Sequence, residues 1–186
     1  MVAPAAHSPP GPYCFRMIVE PLEVGAGGAL PGPLLTELTE LYASNREFHQ
    51  LSGDFPDPDD IRPEQVAASL AEELSHPDTE VLLARSAGHV IGVSVTRAHH
   101  PDPDDPDPWI GLLMVHARDH RVGFGRELAD IVEKRFREKG RRGVKLAVLA
   151  DNPSAIAFWA ALGYEEVDRR PDRQRGRDCV VMRKAL

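Results

Sequence analysis

The segment from Trp109 to Arg126 constrains this chain most, because an almost unbroken apolar run, WIGLLMV (109 to 115), feeds through a glycine-bearing turn into an amphipathic helix. A run of that kind is expected of a central strand buried on both faces, the spine of a sheet. From Phe124 the periodicity changes. Leu128, Ile131, Val132 and Phe136 fall on one helical stripe, supported by Asp130 with Lys134 and Glu133 with Arg137 at i,i+4, until Gly140 stops the helix. VKLAVLA (144 to 150) is then a second apolar strand. A helix that crosses between two strands of one sheet makes those strands parallel, which places the chain in the α/β class.

The remaining elements are read around that unit. Residues 15 to 20 (FRMIVE) form a first strand, and Pro33 opens a helix whose Leu34, Leu38, Leu41, Asn45 and Phe48 continue to about Gln50. Pro63 opens a second helix with Val66, Leu70 and Leu74 on one face. Strands at 79 to 85 and 89 to 97 alternate across Ser86, Ala87 and Gly88 as a hairpin. Asn152-Pro153 caps a short helix closed by Gly163, and two last strands, Tyr164 to Asp168 and Asp178 to Lys184, pair across an Arg-rich turn. The order predicts a mixed, mostly antiparallel twisted sheet of about seven strands with helices on both faces, α/β of the α+β type. At 186 residues there is room for one domain, taken as residues 15 to 186, with 1 to 14 as a disordered tail.

Charge narrows the function classes. Lys and Arg total 22 against 29 Asp and Glu, so the net charge is -7, which argues against a nucleic-acid backbone or an anionic membrane as partner. Two Pro-broken stretches, Asp54 to Asp60 and Asp102 to Asp107, hold eight of the aspartates and no cation, and without them the balance would be +1. They are read as solvated connectors. Cys14 and Cys179 stand too far apart in sequence for a disulfide framework or a paired metal site, which fits a reducing, cytoplasmic setting without metal. The first fourteen residues lack the basic start and apolar core of a secretory signal.

The turn between strand and helix, His120-Arg121-Val122-Gly123-Phe124-Gly125-Arg126, carries the chemistry. A helix start leaves unpaired N–H groups and about half a positive charge, and glycines let a phosphate approach the backbone. Gly-x-Gly taken alone also suits a plain tight turn. A dinucleotide fingerprint would need a third Gly where Leu128 stands, and a P-loop would need Gly-Lys-Ser/Thr, so neither fits.

With that turn in place, LLMVHARDHRVGFGRELA resembles the first signature of the GNAT acetyltransferase superfamily, a strand followed by Arg/Gln-x-x-Gly-x-Gly/Ala opening a helix. A second signature, Asn-x-x-Ala-x-x-x-Tyr-x-x-x-Gly-Phe, is matched by Asn152, Ala155, Trp159, Gly163 and Tyr164 in DNPSAIAFWAALGY. The resemblance implies that acetyl-CoA lies in a wedge where the strands at 109 and 144 splay apart. The backbone of Leu113, Met114 and Val115 would bind the pantetheine arm, and the N–H groups of Arg121, Val122, Gly123, Phe124, Gly125 and Arg126 the diphosphate. Asn152 would touch the arm, with a helix cap as an equal alternative, and Arg121 and Arg126 could add charge.

The implied reaction is transfer of an acetyl group to a primary amine of a small molecule or peptide by direct attack on the thioester. An amine with pKa about 10.4 must first lose its proton, which costs more at neutral pH than releasing a thiol near 8.5, so a base or a desolvating site matters more than an acid. The oxyanion donor would be a backbone N–H at Met114 or Val115. The chain departs from the family pattern at His120, which stands at the Arg/Gln position, and at Trp159, which replaces the Tyr that protonates the leaving thiolate. Trp159 is expected to pack beside the thiol. Ala147 holds a position where some members carry Glu, so no base is assigned; His49, Tyr42, His99, His100 and Tyr164 are candidates, and His116 is read as structural. The two acidic stretches suggest a cationic amine drawn in by long-range attraction. A CoA-binding regulator without turnover stays open as the alternative, and a homodimer is a common assembly in such families.

Overall fold

The computed structural model describes residues 16–25, 28–100, 104–172 and 175–186. Its elements are β1 (Ile18–Pro21), α1 (Gly32–Ser44), α2 (Arg46–Ser52), α3 (Pro63–Ser75), β2 (Thr79–Ser86), β3 (His89–Arg97), β4 (Trp109–Val115), α4 (Phe124–Glu138), β5 (Gly143–Leu149), α5 (Pro153–Ala161), β6 (Glu165–Pro171) and β7 (Asp178–Ala185). The strands form one sheet in the order β1-β2-β3-β4-β5-β7-β6, and every neighbouring pair is antiparallel except β4 and β5. The mixed sheet expected from the element order is present. The tail at 1 to 14 lies outside the described residues.

Two layers of helix cover the sheet. Leu38, Leu41 and Tyr42 of α1 and Val66 and Leu70 of α3 pack on Val81, Leu83, Val93, Val95 and Met114 on one face. Ala129, Val132 and Phe136 of α4 and Trp159 of α5 pack on Ile110, Val144, Leu146, Val148, Val180 and Met182 on the other. The β2–β3 hairpin turns through Ala87 (φ 49) and Gly88 (φ 84), the two positive dihedrals that a two-residue turn matched to strand twist requires.

Three expectations are corrected. Residues 15 to 20 shift to Ile18–Pro21 as a strand, with Phe15 outside the described residues. The helix read from Pro33 to Gln50 is two helices, broken at Asn45, whose φ of -99° and ψ of 44° leave the α region while its side chain bonds back to the Leu41 carbonyl at 2.9 Å. Apolar spacing continues through the break because both helices bury the same side. β4 is not buried along its whole length either. Its ends are buried, while Gly111 is exposed and Leu112 and Leu113 are half-buried. Opposite Gly111 the β3–β4 register shifts, with Val95 facing Leu112 and Thr96 facing Ile110. The bulge resets the alternation, so Ile110 and Leu113, three residues apart, pack on the same face.

Candidate active site

The β4–β5 ladder holds only Trp109 with Lys145 and Ile110 with Leu146, although both strands run seven residues. Beyond Ile110 the two parallel strands part, and from Gly111 to Val115 β4 pairs with another strand on its β3 side alone. Which backbone groups that gap exposes follows from the antiparallel alternation. His116 N–H donates to the Ile91 carbonyl at 2.8 Å, so Met114 and Leu112 also face β3, while the peptide groups of Leu113 and Val115 point into the gap. Met114 therefore faces away from the gap. Its carbonyl lies against β3, where a Cβ on Gly92 would sit 2.9 Å from it, and its side chain is in the α1/α3 core.

The Val115 carbonyl is already engaged. Asn45 Nδ2 donates to it at 3.1 Å and His120 Nε2 at 2.8 Å, which fills both lone pairs. Among the described residues, the groups on this edge without a strand partner are thus Leu113 N–H and C=O and Val115 N–H. Neither Asn45 nor His120 was legible as a contact to this strand.

The chain leaves β4 through a short 3₁₀ turn, Ala117–Asp119, capped by His116 Nδ1, which accepts from Arg118 N–H at 3.3 Å. Burial, and then the Arg118 charge, lower the His116 pKa and keep its ring neutral for that role. Arg121 (φ 64) and Gly123 (φ 103) both adopt positive dihedrals, and the first is a strained one for a side-chain-bearing residue. These reversals set α4 so that its first intrahelical bond is Glu127 N–H to the Gly123 carbonyl. The amides of Phe124, Gly125 and Arg126 have no capping side chain. Gly125 is close-packed: a Cβ there would meet the Phe158 ring at 3.4 Å and Val115 Cγ2 at 3.9 Å. Val122 is 67% exposed, and the Arg121 and Arg126 side chains are exposed with no ion pair among the described residues.

At α5, Asn152 Oδ1 accepts from Ala155 N–H at 3.1 Å, so the cap is realised and only Nδ2 remains for another ligand. Trp159 is a core residue, 7% exposed, set edge-on to Phe158 (5.0 Å) and Tyr164 (4.9 Å). Phe158, half-buried and beside Gly125, is the ring of α5 nearest the turn.

The base candidates are not brought together. Tyr42, His49 and Tyr164 are buried at 3%, 1% and 2% exposure. Tyr42 and His49 stack at 5.7 Å within a cluster that includes Phe55. Burial, with Glu73 and Asp54 adding to it, pushes the Tyr42 hydroxyl far above its usual value, and burial lowers the His49 pKa against the opposing pull of Asp54. Tyr164 is raised by burial and by the Glu133 carboxylate. His99, bound to Asp78 at 2.9 Å and to Arg141 at 2.8 Å, and His100, against Trp109 at 4.5 Å, lie at the start of β4, about 20 Å of strand from Val115.

The acidic stretches are braces rather than free loops. Asp59 pairs with Arg46, Asp54 with Arg177 at 3.3 Å, Asp105 with Lys145 at 2.8 Å and Asp107 with Arg183 at 2.7 Å. Asp102 lies outside the described residues. Arg177 also donates to the Ser52 carbonyl and Arg175 to the Gly53 carbonyl, so the β6–β7 turn is tied to the end of α2. Between these elements and the end of β5 opens a cleft of about 520 Å³, lined by Leu51, Leu149, Ala150, Asp151, Arg177 and Asp178. Asp151 and Asp178 are exposed and in no ion pair among the described residues, and sequence reasoning singled out neither. No group of three metal-ligating side chains occurs among the described residues, nor does any helix long and apolar enough to cross a membrane.

A model of the acetyltransferase (GNAT) family matches residues 38–164. A mycothiol acetyltransferase of Paenarthrobacter aurescens is 28% identical over 106 residues, 55% of this chain and 32% of that protein, so the chain matches about a third of its relative's length. An acetyltransferase from Thermus thermophilus superposes with a TM-score of 0.70 at 18% identity, covering 91% of this chain and 97% of the other. A GNAT family acetyltransferase from Elizabethkingia anophelis, solved with acetyl-CoA bound, gives 0.56 at 16% identity over 91% and 98%. At these identities the likeness to the two structures is one of fold.

Proposed function

Because the chain belongs to the acetyltransferase (GNAT) family, we propose that it transfers the acetyl group of acetyl-CoA to a primary amine of a small molecule or peptide. One observation carries this reading: the β4–β5 ladder ends after two residue pairs, leaving the Leu113 and Val115 edge beside the uncapped first turn of α4. The fit is chemical. An extended arm with amide groups finds a strand edge with unpaired donors and an acceptor, and a diphosphate finds helix-start amides and positive dipole. Acetyl-CoA bound in a GNAT relative of the same fold supports it. When bound, it supplies an acyl group already activated as a thioester.

The roles left to this chain are positional. Leu113 N–H and C=O fix the arm, and Phe124, Gly125 and Arg126 amides hold the diphosphate, with Arg121 and Val122 completing the turn around Gly123. Asn152 Nδ2 reaches the arm from the start of α5. Val115 N–H, on the open edge, is the donor aimed at the acyl oxygen; this replaces the choice between Met114 and Val115, since Met114 N–H faces β3. The amine enters through the cleft lined by Leu51, Leu149, Asp151 and Asp178. Arg177 of the same lining is paired with Asp54 and Asp172, so the exposed Asp151 and Asp178 carboxylates draw a cationic amine toward the cleft, and the amine loses its proton to solvent before attack. The paired state of Asp54, Asp59, Asp105 and Asp107 moves the attraction from the two loops to this cleft. A reducing, cytoplasmic setting belongs to the same proposal.

Titration with acetyl-CoA, followed by thiol release across a panel of amines, tests the reading. Binding together with amine-dependent release is expected. Binding without any release across polyamine, amino-acid and peptide amines would leave a cofactor-binding regulator, and no binding would remove the proposal altogether.

A further inference from the structure

We propose that Asn45 and His120 are positioning residues for the cofactor, clamping one backbone carbonyl so that the β4 edge and the start of α4 keep a fixed spacing. This rests on the cofactor reading above, and no sequence motif carries it. The Val115 carbonyl takes Asn45 Nδ2 from one side and His120 Nε2 from the other. Asn45 sits where α1 ends and α2 begins, and the same amide nitrogen also donates to the Leu41 carbonyl, so the helix break itself is tied to β4. A second tie runs beside it, from Ala117 N–H to Ser44 Oγ at 3.0 Å. His120 belongs to the turn that delivers the α4 amides, so one oxygen atom joins the acceptor-side helices, the strand and the anion turn.

The physical need for a clamp is clear from the ladder. Past Ile110, β4 is paired on one side only, and a strand held on one edge opens more readily toward its end. The arm and the diphosphate of one ligand must be met simultaneously by Leu113 and Val115 on the strand and by Phe124 to Arg126 on the helix. Fixing the last β4 carbonyl from two elements keeps those two sets of donors in register, which avoids an ordering cost on binding. It also explains His120 in place of a longer, charged side chain. The ring spends its donor on the protein and contributes geometry instead of charge.

The test separates spacing from plain stability. Wild type and Asn45→Asp, an isosteric change that turns the donor into an acceptor facing two carbonyls, are titrated with acetyl-CoA and with ADP, which carries a diphosphate without the arm. Losing the donor to Val115, of the size of one net hydrogen bond, predicts at least about a three- to tenfold weaker acetyl-CoA Kd, with the ADP Kd unchanged within twofold. Equal weakening of both ligands, or of neither, overturns the clamp. If wild type binds neither ligand, the functional reading fails and not the clamp specifically. Should Asn45→Asp fail to fold, His120→Gln against His120→Phe decides: Gln keeps a donor and retains acetyl-CoA affinity, Phe loses it, and equal behaviour of the two overturns the proposal.

Discussion

The proposed cofactor half and the proposed acceptor half of this molecule are built by different means. Around the β4 exit the groups proposed to bind are main-chain amides and carbonyls, placed by a ladder that stops after two pairs, a bulge at Gly111 and positive dihedrals at Arg121 and Gly123. Around the cleft they are side chains, Leu51 from α2, Asp151 after β5 and Arg177 and Asp178 at the start of β7, gathered from three separate stretches of chain. Backbone recognition depends on spacing and on where no side chain may stand. Side-chain recognition depends on which loops happen to meet.

The sharpest way to break this contrast is to put a long side chain beside the proposed diphosphate turn. Gly125 sits in α4 without a positive φ, and a Cβ there makes ordinary contact with Phe158 at 3.4 Å and Val115 at 3.9 Å, so it is the further atoms of a long side chain that crowd the turn. Gly125→Leu should weaken acetyl-CoA by about a hundredfold, the upper end of the 1–3 kcal/mol that overpacking costs. Far-UV circular dichroism should stay as in wild type. A Kd within threefold of wild type would show that the first turn of α4 is not where the diphosphate binds.

The acceptor half should respond to charge instead. Asp151→Asn with Asp178→Asn removes two carboxylates of the cleft that form no ion pair among the described residues. The KM for a cationic amine should rise about tenfold at low salt and less at 0.5 M salt, while acetyl-CoA affinity stays within twofold. Equal KM values for cationic and neutral amines before and after the change would remove the cationic reading without touching the cofactor site.

These two regions also differ in how far the sequence discloses them. The WIGLLMV run, the glycine turn and the helix stripe sit together in sequence, and the physics that links them is local, so both the parallel β4–β5 pair and the turn could be read directly. The break at Asn45 could not, since the residue there bonds both back to Leu41 and across to Val115, seventy residues away in sequence, and apolar periodicity registers neither contact. Asp54 and Asp107 read as solvated because nothing near them in sequence is cationic. Their partners, Arg177 and Arg183, come from the last strand and the turn before it. The direction of the Met114 peptide could not be read for a subtler reason: which peptides face the gap depends on register against β3, which only pairing decides.

Acid should separate the halves next. His49 lies in α2, the wall of the cleft, buried with Tyr42 and Phe55, and its folded pKa is lowered, first by burial. The unfolded chain takes a proton near pH 6.5 while the folded one resists, so this residue reduces stability as pH falls below that value. The loss grows as pH falls further below 6.5. Denaturant melts of His49→Leu should show a smaller decline over that range, with acetyl-CoA affinity moving in parallel for both proteins. An identical decline in the two would place the pH sensitivity elsewhere.

The smallest effect falls on Asn152, whose side chain caps a helix and is proposed to meet the cofactor as well. Asn152 Oδ1 caps α5 through Ala155 N–H at 3.1 Å, and its Nδ2 is the group left for the arm. Ser preserves a cap nearly as well as Asn, whereas Ala costs about 1 kcal/mol. Asn152→Ser should therefore melt with wild type while losing two- to threefold in acetyl-CoA affinity, about the lower end of one net hydrogen bond. Asn152→Ala should lose the same affinity and the cap besides. If Ser matches wild type in both measurements, Asn152 is a helix cap alone, and every cofactor contact then falls to the backbone of β4 and the amides at the start of α4.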